Sequence, residues 1–150
     1  MAYITKEQLK ERLGDTLYAR LTDREAGTTI DDAVGQRIVD DAEALANGQL
    51  ARRYATPIDL ATHPELADVL TARVLDLAEY RAWRDSPFVN DVPERIRFLY
   101  EDAMRWFSAV AAGQLDLPAS SPPASRTAVD DSPRYVSHPR KFTEQELDGL

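Results

Sequence analysis

Apolar residues recur at helical spacing along most of the chain up to Leu117 and thin out beyond it. Thr5, with Gln8 three positions on, has the form of a capping box; Leu9 and Leu13 then mark a short amphipathic helix that Gly14 stops. The stretch "DTLYARL" adds one or two turns and packs Leu17 and Leu21. Asp31 or Asp32 can cap a second helix whose apolar side carries Val34, Ile38, Ala42, Leu45, Ala46, Leu50 and Tyr54. Carried through to Tyr54, it has about 23 residues and is roughly 35 Å long. Asn47-Gly48 interrupts it with a hairpin-like dipeptide, but the helical spacing continues and no alternating strand pattern flanks it.

After the loop "TPIDLATH", Pro64 suits the first turn of a third helix, with Leu66, Val69, Leu70, Val74, Leu77 and Ala78 on its apolar side. "DSP" at Asp85 to Pro87 ends it. Pro93 opens a fourth helix with Ile96, Leu99, Tyr100, Ala103, Phe107 and Val110, stopped by Gly113. "GQLDLP" reads as a short extended segment against that bundle. Helices with such wide apolar faces bury one another most easily as a small bundle. The predicted class is all-α, about four helices within residues 1–117.

The remainder differs in kind. Five of the nine prolines, Pro118, Pro122, Pro123, Pro133 and Pro139, follow Leu117. Residues 118–142 carry too little apolar surface to offset chain ordering and read as an extended arm. Thr143 with Glu146 forms a second capping box, introducing a helix over 143–150 that is too short to hold alone in water. Arg134, Tyr135, Val136, Arg140, Lys141, Phe142 and Leu147 give this arm a basic, aromatic and aliphatic docking surface.

The connection "LTDREAGTTIDDAV" resembles a calcium loop at first sight. From Asp23, the acids Asp23, Glu25 and Asp31 fall at loop positions 1, 3 and 9. Gly27 then stands at position 5, Thr28 at the hinge and Val34 at position 12, so the sharp turn and the bidentate anchor are both missing. A polar connection ending in an N-cap, its acids near a positive helix end, is the better reading.

With 150 residues, 43% hydrophobic and 29% charged, the chain is long enough for one domain with a real core. No apolar run is long enough to cross a bilayer, and "MAYITKEQLKERLG" has no signal-peptide core, so no membrane association and an intracellular origin are expected. The absence of cysteine excludes disulfides, thiolate catalysis and cysteine-held zinc. A net charge of −8 argues against nonspecific nucleic-acid binding, which needs clustered basic surface.

Catalytic patterns are not evident. His63 and His138 lie far apart in loop-like segments, and "HPEL" offers only His63 and Glu65 to a metal. No G-x-S-x-G, H-E-x-x-H, phosphate-loop or Rossmann glycine pattern occurs. Asp40 and Asp41, like Glu101 and Asp102, are adjacent acids that point in different directions on a helix. No enzymatic activity, cofactor or metal is expected. Arg73, Arg81, Arg84, Arg95, Arg97 and Arg105 read as helix-surface partners of Asp76, Glu79, Glu94 and Glu101. In the functional alternative Arg73, Arg81, Arg84 and Arg97 cross to a neighbouring subunit, where Trp83 could also anchor; Trp106 reads as core.

"YITKEQLKERLG", "LTDR…ID", "ARRYATP", "PERIRFLYEDAMRWFSAVAAGQLDLP" and "HPRKFTEQELDGL", in this order and spacing, resemble the gp36-like family of Mu-like phages and prophages. The likeness runs from Tyr3 to about Leu117 and resumes at the end of the arm, with the proline-serine stretch unmatched in detail. It implies a virion protein, a head-tail connector or adaptor. Such a protein assembles as a ring, expected to be dodecameric, under the portal protein, extends the DNA channel, and meets the next neck or tail-completion protein. Double-stranded DNA would pass without specific binding, repelled by an acidic lumen. The arm would reach a neighbouring copy or the portal and order on binding. The competing expectation is a helical regulatory module that recognises a host factor through its tail.

Overall fold

The computed structural model describes residues 2–118, which form five α-helices and one short 3-10 turn, with no strand among them. The expected arm and its terminal helix lie outside the described residues. Helix α1 (Lys6–Leu13) starts at the expected box: the Thr5 hydroxyl accepts the Gln8 N–H at 3.3 Å, and the Gln8 side chain accepts the Thr5 N–H at 2.9 Å. Gly14 then takes φ +80°, which only glycine adopts freely, and the chain turns straight into α2 (Asp15–Thr22). The stretch expected to add a turn or two is thus a helix of its own, raising the count from about four to five.

Helix α3 (Asp32–Leu50) is capped by Asp31, whose carboxylate accepts the N–H groups of Ala33 at 3.0 Å and Val34 at 3.1 Å. It has 19 residues, not the expected run to Tyr54. The apolar spacing persists to Tyr54 because a near-helical turn follows, with the Tyr54 N–H donating to the Leu50 carbonyl at 2.9 Å. Asn47-Gly48 is helical, as the spacing predicts. The Asn47 side chain accepts the Tyr3 hydroxyl at 2.7 Å, and that hydroxyl in turn accepts the Ile58 N–H at 2.8 Å. Glu43 takes the N–H groups of Tyr3 at 2.6 Å and Ile4 at 3.0 Å, pinning the N-terminal segment to α3.

A 3-10 turn, Pro64–Leu66, leads into α4 (Ala67–Asp85), and Pro93 precedes α5 (Glu94–Ala111). Helices α3, α4 and α5 each pack against the other two, while α1 and α2 lie on α3 and α4. The core contains most of the expected apolar positions, with Leu9, Leu21, Leu50, Leu70, Val74, Leu77, Phe107 and Val110 fully buried. Tyr18 was missed: it is wholly buried, whereas its expected neighbour Leu17 only packs on the edge of the core. Gly35 makes room for it, since a Cβ there would stand 1.7 Å from the Tyr18 hydroxyl. "GQLDLP" forms turns and irregular backbone in place of an extended segment, and its Leu117 is buried with its N–H on the Tyr54 hydroxyl at 3.0 Å. No described helix is long and apolar enough to cross a membrane.

Candidate assembly surfaces

The acidic connection between α2 and α3 is built around Asp23. Its carboxylate accepts four backbone N–H groups, from Glu25 at 2.8 Å, Ala26 at 3.3 Å, and Thr28 and Thr29 at 3.0 Å each. These hydrogen bonds, led by that from Glu25, hold the Asp23 carboxyl well below the usual carboxylate range. Gly27, at φ +69°, lies under the Phe88 ring, which a Cβ would approach to 3.2 Å. The Arg24 guanidinium donates to the Asp85 carbonyl, and the Ser86 hydroxyl to the Arg20 carbonyl at 3.4 Å. The loop is therefore a corner fastened to the end of α4. Both oxygens of Asp23 serve the loop backbone, so a cation would have to displace them. Among the described residues no three potential metal ligands come together. His63 and Glu65, the other pair weighed as ligands, stand 3.6 Å apart on their own turn.

Two acids read as surface partners face inward instead. Asp76 and Glu79, one turn apart on α4, are buried, with 10% and 9% of their side chains exposed. Arg12 of α1 reaches both, at 2.6 Å from Asp76 and 2.7 Å from Glu79. The contact to Asp76 is a hydrogen bond, whereas the Glu79 oxygen is approached by charge without an aligned N–H. The cluster ties α1 to the three-helix core. The arginines of α4 and α5 thus take other acids: Arg73 pairs with Asp102 across α4 and α5, and Arg81 with Asp41 of α3 at 3.3 Å. Arg84 pairs with Asp85 at 2.8 Å and Arg97 with Asp91 at 3.0 Å, each remaining half exposed. The four arginines weighed as crossing to a neighbour all hold an acid within their own chain.

Trp83 and Trp106 both lie at the margin of the core, partly buried. For Trp106 this corrects the core expectation: it sits beside the buried stripe of α5 and meets Phe107 edge-on at 5.1 Å. The indole N–H of Trp83 is buried without a hydrogen-bond partner among the described residues. Tyr80 and Tyr100 stack across α4 and α5 at 4.0 Å. One aromatic was not anticipated: Phe98, 61% exposed on the outer side of α5. Its signal was in the sequence, an apolar side chain off the stripe of Ile96, Ala103, Phe107 and Val110. The arm residues Arg134, Tyr135, Val136, Arg140, Lys141, Phe142 and Leu147 lie outside the described residues, as does His138.

The ordered polar groups thus brace a small helical body, which leaves a bare aromatic on one outer helix: a helical module with a surface suited to contact. The family described as Bacteriophage Mu, Gp36 matches residues 3–132, most of the chain, and the chain belongs to that family. The match begins at Tyr3 as expected, but it runs on through the proline-serine stretch where a gap was expected and stops before the terminal "HPRKFTEQELDGL". No curated protein matches the chain.

Proposed function

We propose that this phage-family protein is a structural, non-enzymatic component of the virion neck: a head-tail connector whose copies form a dodecameric ring beneath the portal protein. The ring extends the DNA channel and receives the next neck or tail-completion protein on its far side. Family membership over residues 3–132 carries this reading. Two features support it. The internal ion pairs and the Asp23-centred corner give a braced body, suited to holding shape in a wall of repeated subunits. The net charge of −8 suits a lumen through which a polyanion slides without sticking.

In this reading the arm, with Arg134, Tyr135, Val136, Arg140, Lys141, Phe142 and Leu147, docks on a neighbouring copy or on the portal, and its chain ordering is offset only there. Mass spectrometry of purified particles is expected to find the chain, and images of the neck to locate it between portal and tail. Its absence from particles would overturn the connector reading in favour of a regulatory module. Deleting residues 129–150 is expected to leave a folded bundle that no longer joins the portal; normal assembly of the truncated chain would remove the arm from the mechanism.

A further inference from the structure

The most exposed large apolar side chain among the described residues is Phe98, 61% exposed on α5. Nothing among the described residues accounts for it, because the buried face of the same helix is already formed by Ile96, Ala103, Phe107 and Val110. Glu94 and Arg105 lie in line with it, at four residues before and seven after, so all three share one face over three turns. The exposed side of α3 offers the counterpart. Gly48 lies inside that helix, where glycine is less favourable than alanine. A Cβ at Gly48 would meet nothing within 4 Å, so no internal contact requires the glycine. Asp41 precedes Gly48 by seven residues on α3, and Arg52 follows it by four, in the near-helical turn that continues past the end of the helix. Arg52 is exposed, and Asp41 remains 51% exposed beside Arg81.

We infer that the outer face of α5 docks on the α3 face of a second copy of this chain, with the helices running in opposite directions. Phe98 then lies over the bare backbone at Gly48, Glu94 meets Arg52, and Arg105 meets Asp41. The spacings of four and seven residues, about 6 and 10 Å along α5, recur on α3 and the near-helical turn that follows it, and each charge faces its opposite. Because the two faces are different surfaces of one chain, the contact is head-to-tail, the kind that propagates and closes into rings. This inference rests on the connector reading and names the subunit interface that reading requires.

The chain is free of cysteine, so the introduced thiols are the only ones it brings to a cross-link. The double variant Phe98→Cys with Gly48→Cys, in purified particles treated with a short bismaleimide, is expected to give a ladder of linked oligomers, while either single variant gives none. A two-subunit product from Phe98→Cys alone would mean a two-fold contact and overturn the inference. Charge exchange is a second, independent measurement: Glu94→Arg is expected to cut incorporation into particles at least tenfold, and adding Arg52→Glu to restore it. No restoration overturns the inference. Rings seen in the neck without a ladder refute this interface and leave the connector reading standing. A chain missing from the wild-type neck refutes the connector reading, and the interface with it.

Discussion

The Arg12–Asp76–Glu79 cluster and the outer face of α5 both combine charge with nearby apolar surface, yet they use it in opposite ways. In the cluster, two carboxylates are withdrawn from water and held by a single guanidinium from another helix. On α5, Glu94 and Arg105 stand in solvent on either side of an uncovered phenyl ring. Charge placed inside fixes how α1 sits on α4, and its removal is felt by the fold. Charge placed outside scarcely affects the fold and is free to select a partner. The contrast makes the two regions separable by experiment.

The largest expected effect is at the cluster. Arg12→Met leaves Asp76 and Glu79 buried with no counter-charge, a change that typically costs about 3–5 kcal/mol. For a body of this size that lowers Tm by roughly 10 °C or more. The triple variant Arg12→Met, Asp76→Asn, Glu79→Gln is expected to recover much of the loss, since it removes the unpaired charges themselves. Thermal melts followed by circular dichroism check both. If Arg12→Met melts like the wild type, the cluster is surface decoration and the comparison collapses.

How much of this could be read from the sequence differs by the reach of each contact. The capping box at Thr5, the N-cap at Asp31, the stops at Gly14 and Asp85, and the start at Pro93 depend on neighbours a few residues away, and all are found where the chain places them. Asp76 and Glu79 depend on Arg12, more than sixty positions earlier, and acids one turn apart on a helix look the same whether they face water or a cation. Tyr18 was missed for the same reason: its place exists only because Gly35, on another helix, has no side chain. The Asp23 corner lay between these cases. Its departure from the calcium-loop pattern at Gly27, Thr28 and Val34 was legible, but its use of four amides required the folded backbone. Phe98 was visible all along as an apolar residue off the stripe; what it lacked was an explanation.

The corner sharpens the comparison through pH. Asp23 titrates well below the usual range in the folded chain, held down by the loop amides. The folded state therefore binds fewer protons than the unfolded one. Its stabilisation is complete above the unfolded carboxyl pKa of about 4 and is lost as the pH falls through the folded value. Asp23→Asn replaces one accepting oxygen with an N–H donor aimed at other donors. It is expected to lower the urea midpoint at neutral pH by less than Arg12→Met does. The gap between variant and wild type should then narrow as the pH drops below about 4. A gap that stays constant down to acid pH would mean that the charge of Asp23 is immaterial and only its shape matters.

The smallest expected effect on stability belongs to the outer face, and there the smallness is the point. Phe98→Ser removes a ring that already stands in water, so the folded state loses little buried area. Surface changes of this kind stay within about 0.5 kcal/mol, so Tm should move by no more than about 3 °C. Serine and phenylalanine have nearly equal helix preference, so propensity gives no consistent push. If the ring exists to meet another subunit, the variant should melt like the wild type and yet be scarce in particles. Should Phe98→Ser instead lower Tm by several degrees in the isolated chain, the ring must be packed within its own molecule. The outer face would then belong with Arg12 and its acids as part of what holds the body together.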